Sequence, residues 1–248
     1  MDHTPFHIFG PSHWAVLAAS LIAGWCAVRI LRRGTERWKL IVRVVLAVML
    51  FLAVMADPAI TYLRHVHEDP ALARKLVHET AWPFFLCDWA AIACGIALLG
   101  KNQRLAELGW CWGLGGTLNG LIYPSSLSFD WKSPDWYAFF AEHAGVPIAG
   151  AALVFGLGLR PQAGVVWRAW FWMLAYFAVA IVVNLLLIHV GGYQDANYGF
   201  TCTSAYSPFG VLGPWPIYLV VKILLLAVVF AILTVPICGR SALRFQWG

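Results

Sequence analysis

The chain has 248 residues, of which 61% are hydrophobic and 12% are charged. An ordinary soluble domain has about a quarter of its residues charged, so a water-soluble fold of this size could not cover so much apolar surface. The formal net charge is +5, but the basic residues lie in short segments between apolar stretches. That distribution is typical of an oriented membrane protein, and we exclude nucleic-acid binding as its cause.

Seven apolar segments come close to the length of about 20 residues that a helix needs to cross a bilayer. In chain order they are residues 12–31, 40–63, 81–99, 108–123, 136–159, 167–190 and 215–238. The fourth is the shortest and contains five glycines, which favour close approach of neighbouring helices. The sequence therefore predicts an all-α, polytopic transmembrane bundle of about seven spans, forming a single domain over residues 1–248.

Lysine and arginine are unevenly divided between the two sides of this predicted bundle. One side carries Arg32, Arg33, Arg37, Lys39, Lys101, Arg104, Arg160, Arg168, Arg240 and Arg244. The other side carries Arg64, Arg74, Lys75 and Lys132. Because cytoplasmic segments are enriched in lysine and arginine, we expect the N-terminus outside and the C-terminus in the cytoplasm. The expected location is the cell (inner) membrane.

Polar side chains lie at similar predicted depths in the second to the seventh segments. They are Asp57, Cys87, Asp88, Asn119, Glu142, His143, Asn184 and Lys222. With a rise of about 1.5 Å per residue, all lie about 6 to 11 Å below the outer boundary. A charge or amide in hydrocarbon costs at least about a few kcal/mol without a partner. We therefore expect a shared interior cavity, the alternative being that these groups only tie the helices together by hydrogen bonds.

Cys87 and His143 are the simplest candidate catalytic pair in this layer. A thiol becomes a strong nucleophile when a histidine takes its proton or stabilises the thiolate, and the two residues need to meet only in space. The alternative for Cys87 is a small, inert buried hydrophobe. The pair therefore predicts nucleophilic catalysis if the fold brings the thiol and the imidazole together.

The other polar residues of the layer have predicted supporting roles. Asp88 and Glu142 each follow or precede a member of the pair, so they should point about 100° away, towards Lys222 or the backbone. Asn119 or Asn184 could donate a hydrogen bond to a developing oxyanion or fix the histidine tautomer.

Two other kinds of site are less well supported by the residues. His65, His67 and His78 lie near acidic residues, but their spacing matches no strong metal-ligand motif, so we predict no metal and no cofactor. A lysine in the last segment and an aspartate in the third are also typical of retinal proteins. Lys222 lies too near the outer surface for that role, and Tyr218, one turn earlier, is not a carboxylate.

Several short motifs occur in a characteristic order along the chain. They are PFFLCD at 83–88, GGTLN at 115–119 followed by YP at 123–124, EHAG at 142–145, and Asn197-Tyr198 followed by LGPWP at 212–216. In these motifs the chain resembles the bacterial YwaF-like integral membrane proteins, which are related to eukaryotic transmembrane protein 164. The resemblance runs from the third predicted span to the seventh, and the first two spans match only as generic apolar helices.

The resemblance implies an acyl-transfer enzyme. The eukaryotic relative is regarded as a phospholipid acyltransferase with a cysteine nucleophile and a histidine, and it is compared with the androgen-induced threonine and histidine lipid hydrolases. Carried over by motif, the nucleophile falls on Cys87 and the histidine on His143. Bacterial members often have a histidine two places before the cysteine, where this chain has Phe85. If that histidine contributes to the chemistry, the departure bears on activity.

We therefore expect a membrane-embedded lipid acyltransferase or lipid hydrolase that acts on a phospholipid or another membrane acyl donor. The expected supporting or substrate-binding residues are Asp88, Asn119, Glu142, Asn184, Lys222, Asn197 and Tyr198. The alternatives are a non-enzymatic transporter or lipid-binding protein that uses the same polar layer, and a structural subunit. No expectation for the oligomeric state follows from the sequence.

Overall fold

The computed structural model describes residues 6–124, 131–203 and 210–245, and all regular secondary structure in these residues is helical. The α-helices are α1 (Pro11–Arg33), α2 (Glu36–His65), α3 (Pro70–Leu76), α4 (Leu86–Gly100), α5 (Gln103–Trp112), α6 (Leu118–Ile122), α7 (Pro134–Ala151), α8 (Val165–His189) and α9 (Ile217–Cys238). Three π-helical turns follow α3, α5 and α7, at Val77–Ala81, Gly113–Thr117 and Ala152–Gly156. Short 3₁₀ helices form at Tyr198–Phe200, Gly210–Leu212 and Gly239–Leu243.

Five helices in the described part of the chain are long and apolar enough to cross a membrane. They are α1, α2, α8, α7 with its π turn (Pro134–Gly156), and α9 with its 3₁₀ extension (Ile217–Leu243). A sixth candidate joins Pro70–Ala81 to α4 through a bend of 72°. The prediction of an all-helical membrane protein is confirmed, with five or six candidate spans.

The predicted fourth span, residues 108–123, is an interrupted helix. The chain runs through α5, the π turn Gly113–Thr117 and the short helix α6. A Cβ atom added at Gly113 would lie 2.7 Å from the Val146 side chain, and one added at Gly116 would lie 2.9 Å from Leu86. The glycines therefore allow this segment to pack closely against α4 and α7, as expected of small residues in membrane bundles.

The central helix of the bundle is α4, which packs against α2, α5 and α7. Its small residues Ala90, Ala91, Cys94 and Ala97 are fully buried, so neighbouring helices approach its backbone on several sides. The first turn of α4 carries Cys87. A residue at this position faces the middle of the bundle close to one of its ends.

A buried ion pair marks the opposite end of the bundle. Arg168 on α8 donates from Nη2 to both carboxylate oxygens of Glu107 on α5, at 3.0 and 2.9 Å. Arg168 and Glu107 are 7% and 2% exposed, and the backbone N–H of Gln162 also donates to Glu107. Arg168 is one of the basic residues counted for this side of the bundle, and its guanidinium is buried and held by a carboxylate.

Candidate functional site

Cys87 lies in the first turn of α4, directly after the bend at residues 82–85. Cys87 is half-buried, and the carboxyl groups of Asp88 and Glu142 lie within electrostatic range of its sulfur. The first N–H groups of an α-helix have no partner within the helix, and together they carry partial positive charge. The break before α4 therefore places the sulfur between the positive end of a helix and two carboxyl groups, whose negative charge opposes a thiolate.

His143 lies on α7, and the environment of its imidazole fixes the tautomer. The Nδ1 atom lies 2.9 Å from the carbonyl oxygen of Phe139, one turn earlier in the helix. Because a carbonyl oxygen only accepts, Nδ1 carries the hydrogen and Nε2 keeps its lone pair. The Phe139 ring stacks on the imidazole with centroids 4.0 Å apart. On the α6 side, a Cβ atom at Gly120 would lie 2.7 Å from Nε2, so this position requires glycine.

The structure brings together the side chains of Cys87, Glu142 and His143. Cys87 is distant in sequence from the other two, and Glu142 was expected to point away from the pair. A ring nitrogen of His143, the sulfur of Cys87 and a carboxylate oxygen of Glu142 all lie within 4.8 Å of one another. Among the described residues, this group meets the geometric requirement for holding a metal ion, and the predicted loop histidines are not part of it. His78, for example, accepts a hydrogen bond from the Trp82 indole. We call Cys87, Glu142 and His143 the thiol cluster.

The position of Glu142 corrects the expectation that it points away from the pair. Its Oε2 atom lies 4.0 Å from His143 Nδ1, and its carboxyl group is within interaction range of the Cys87 thiol and of Asp88. The side chains of residues 142 and 143 leave α7 about 100° apart. A long glutamate side chain then reaches back to the thiol. Asp88 accepts from the backbone N–H of Phe85 at 2.8 Å, so the backbone is its partner, as expected.

Lys222, one of the two expected kinds of partner for Asp88 and Glu142, contacts backbone carbonyls. Its Nζ atom donates to the carbonyl oxygens of Gly199 and Phe200 at 2.9 and 3.2 Å. The ammonium group also lies 4.7 Å from the centroid of the Phe177 ring. Lys222 therefore anchors residues 197–203, which we call the anchored loop.

The asparagines of the predicted site also bind backbone rather than the thiol cluster. Asn184 is fully buried; its amide donates to the Tyr198 carbonyl and accepts from the Tyr198 N–H, at 2.9 and 2.8 Å. The Asn197 side chain accepts from Cys202 N–H at 3.0 Å, within the anchored loop. Asn119 is exposed and reaches only the Gly115 carbonyl of its own turn. The histidine tautomer is consequently set by the Phe139 carbonyl and not by Asn119 or Asn184.

Two tyrosines hold the bend that precedes Cys87. The Tyr198 hydroxyl accepts from the backbone N–H of Trp82 at 3.0 Å and donates to the His78 carbonyl at 2.9 Å. The Tyr176 hydroxyl donates to the Phe84 carbonyl at 3.0 Å. Sequence reasoning missed Tyr176, although a lone tyrosine in an apolar helix is a usable signal, because a buried phenol usually finds a hydrogen-bond partner. Phe85, two residues before Cys87, packs against the Tyr198 ring.

We expect Tyr198→Phe to destabilise the protein by about 1 kcal/mol, because the Trp82 N–H keeps only the Val77 carbonyl as acceptor and the His78 carbonyl loses a donor. Denaturant unfolding in detergent micelles measures the change. Tyr123→Phe is the matched control, since that tyrosine is exposed. Equal stabilities of the two variants would show that the hydroxyl does not hold the bend.

Most of the predicted polar layer lies in two groups, with Asn119 and Asp57 outside both. Asp88 and the thiol cluster form the first group, and the residues that hold the anchored loop form the second. A groove of about 900 Å³ lies instead on the outside of the bundle, between α2 and α7. Its walls are apolar, and it extends along α7 as far as Ala141, the neighbour of Glu142.

A comparison with protein-family models decides the family of the chain. The model described as the TMEM164 family matches residues 8–234. The chain belongs to the TMEM164 family. The TMEM164 match includes the first two helices, beyond the part in which the sequence motifs resemble this group, and it includes every residue of the thiol cluster. No curated protein and no solved structure matched the chain.

Proposed function

We propose that this TMEM164-family protein is a lipid acyltransferase or lipid hydrolase of the cell (inner) membrane, with Cys87 as nucleophile and His143 as general base. The observation that carries the proposal is the thiol cluster, in which a sulfur and an imidazole with a fixed tautomer lie within 4.8 Å. A nucleophile and base at this separation can come into hydrogen-bond contact when substrate binds.

We propose that the chain crosses the membrane seven times, with the N-terminus outside. At one end of the bundle, His13 at the start of α1 lies 2.8 Å from the Leu121 carbonyl near the end of α6. At the other end, Arg43 near the start of α2 donates to the Leu98 carbonyl near the end of α4. These contacts support two further membrane spans besides the five long helices. One is α4, and the other is α5 together with α6.

In the first half-reaction, His143 Nε2 takes the thiol proton as the Cys87 sulfur attacks the carbonyl carbon of a lipid ester. A negative charge on sulfur is costly next to the carboxyl groups of Asp88 and Glu142, so proton transfer accompanies formation of the carbon–sulfur bond. The tetrahedral intermediate collapses to a thioester, and the leaving alcohol takes the proton from the imidazolium.

In the second half-reaction, the acceptor is a lysophospholipid, another alcohol or water. His143 Nε2 removes the hydroxyl proton of the acceptor as its oxygen attacks the thioester carbonyl. The carbon–sulfur bond breaks, and the proton returns from the imidazolium to the Cys87 sulfur. The products are a new ester, or a free fatty acid when water is the acceptor, and the enzyme regains its starting state.

The groove between α2 and α7 supports a substrate that arrives from the bilayer. Its lining is almost entirely apolar from Val44 to Ile60 on α2, and Lys132 lies at the end nearest the start of α7. An acyl chain fits the apolar wall, and an ammonium group at one end suits a phosphate headgroup. The same groove is the observation that favours the alternative function, a lipid-binding protein without catalysis.

Labelling with an alkynyl fatty acyl thioester tests the enzyme proposal. We expect a hydroxylamine-sensitive label on the wild-type protein, no label on Cys87→Ala, and a wild-type label on Cys94→Ala, the matched control. Cys94 lies on the same helix and is fully buried away from the cluster. Full turnover of a phospholipid substrate by a folded Cys87→Ala variant would remove the mechanism and favour the lipid-binding alternative.

A further inference from the structure

The thiol cluster contains the three ligand types that zinc prefers: a thiol, an imidazole and a carboxylate. Zinc binds sulfur at about 2.3 Å and nitrogen or oxygen at about 2.0 Å, so tetrahedral ligand atoms lie about 3.3 to 3.8 Å apart. The three atoms of the cluster all lie within 4.8 Å of one another. The cluster is therefore somewhat wider than a tetrahedral zinc site, and rotation of the Cys87 and Glu142 side chains towards the fixed imidazole would narrow it.

The hydrogen bond of His143 matches the arrangement found around metal-bound histidines. Such a ligand commonly donates its second ring N–H to a carboxylate or a backbone carbonyl, which fixes the ring and raises its basicity. Here Nδ1 donates to the Phe139 carbonyl at 2.9 Å and leaves Nε2 available. The imidazole is thus held in the tautomer that offers Nε2 as the ligand atom.

The charge around the cluster favours a bound cation. Glu142 is only 8% exposed, and its Oε1 atom is buried with no hydrogen-bond donor among the described residues. Asp88 and the more distant Asp57 add two carboxyl groups within electrostatic range of Glu142. A buried carboxylate oxygen without a partner is costly, and a metal ion supplies the missing interaction.

We infer that Cys87, Glu142 and His143 form a binding site for one divalent cation of the zinc class, with a fourth coordination position open to solvent or lipid. Binding of the cation releases the thiol proton and converts Cys87 into a coordinated thiolate. The sulfur and the Nε2 lone pair are then both occupied. The cation therefore blocks acyl transfer, and this consequence rests on the proposed function.

Cobalt(II) substitution in the purified full-length protein tests the site. A thiolate bound to cobalt gives a near-ultraviolet charge-transfer band, which reports on sulfur coordination without any substrate. We expect one cobalt per chain with this band, and displacement by zinc. Cys87→Ala should lose the band, and His143→Ala and Glu142→Gln should weaken cobalt binding by at least about tenfold. Cys94→Ala is the control and should keep wild-type binding.

The acyl-thioester label, measured in the presence of a chelator and again with zinc, separates this inference from the proposed function. We expect labelling with the chelator and at least about tenfold less with zinc, as expected when a ligand competes for the nucleophile. Labelling without any cobalt–thiolate band overturns the metal site and leaves the enzyme proposal standing. A band without labelling supports the site and overturns the enzyme proposal. A band that persists in folded Cys87→Ala also overturns the site.

Discussion

His143→Gln is expected to lower the rate of acyl transfer by about 100-fold to 10,000-fold, the usual contribution of a positioned general base. Glutamine keeps a polar group of similar length but cannot accept and return a proton. The glutamine amide can still donate to the Phe139 carbonyl, so the loss should be mainly in the rate and not in folding. Single-turnover transfer from a fluorescent phospholipid measures the effect.

Two further variants sharpen this test. His189→Gln is the matched control, because His189 is an exposed histidine at the end of α8 and should leave the rate unchanged. Gly120→Ala keeps the chemistry of His143 but places a methyl group against its ring, and should lower the rate almost as far. Gly100→Ala has open space around the new methyl group and is the control for that change. A His143→Gln variant within about threefold of wild type would exclude the imidazole as the base.

Arg168→Met is expected to cost about 2 to 4 kcal/mol of unfolding free energy, the largest stability effect that the structure predicts. The substitution removes the closest guanidinium from the Glu107 carboxylate, which is 2% exposed, and leaves it the longer ion pair with Arg104 at 3.5 Å. An uncompensated buried charge is much more costly than the loss of a solvent-exposed ion pair. Unfolding by denaturant in detergent micelles measures the difference from wild type.

The double variant Glu107→Leu with Arg168→Met should recover most of that loss, because it removes both charges together. Lys39→Met is the control, since Lys39 pairs with the exposed Glu36, and its removal should not change stability measurably. If Arg168→Met were as stable as Lys39→Met, the guanidinium would not be the partner that stabilises Glu107.

The long helices of the bundle could be predicted from hydropathy alone. Predicted residues 12–31 and 167–190 correspond to Pro11–Arg33 and Val165–His189, because a run of apolar residues is a direct measure of membrane crossing. The break before α4 could not be found in the same way, since residues 82–85 are themselves apolar. Its cause is local: Trp82 precedes Pro83 and is forced out of the helical region, with ψ of 148°.

Predictions for the candidate site were limited by what residue order says about side-chain direction. Cys87 and His143 could be singled out, because a thiol and an imidazole at one predicted depth are unusual in apolar helices. Glu142 was assigned the wrong direction, since helix geometry gives where a side chain leaves the backbone but not how far it reaches back. The roles of Asn184 and Lys222 depend on the anchored loop, whose path only the three-dimensional structure shows.

The anchored loop has a consequence for the lifetime of a covalent intermediate. Tyr198 and Phe200 pack against Phe85, two residues before Cys87, at the end of the bundle where α4 begins. These aromatic rings belong to the anchored loop, which Asn184 and Lys222 hold by hydrogen bonds, and they shield this side of Cys87 from water. A lipid can instead bind in the groove between α2 and α7. Under the proposed chemistry, this shielding slows hydrolysis of the thioester intermediate. The acyl group is then transferred to a glycerol hydroxyl more often than to water, which favours remodelling of membrane lipids over their breakdown.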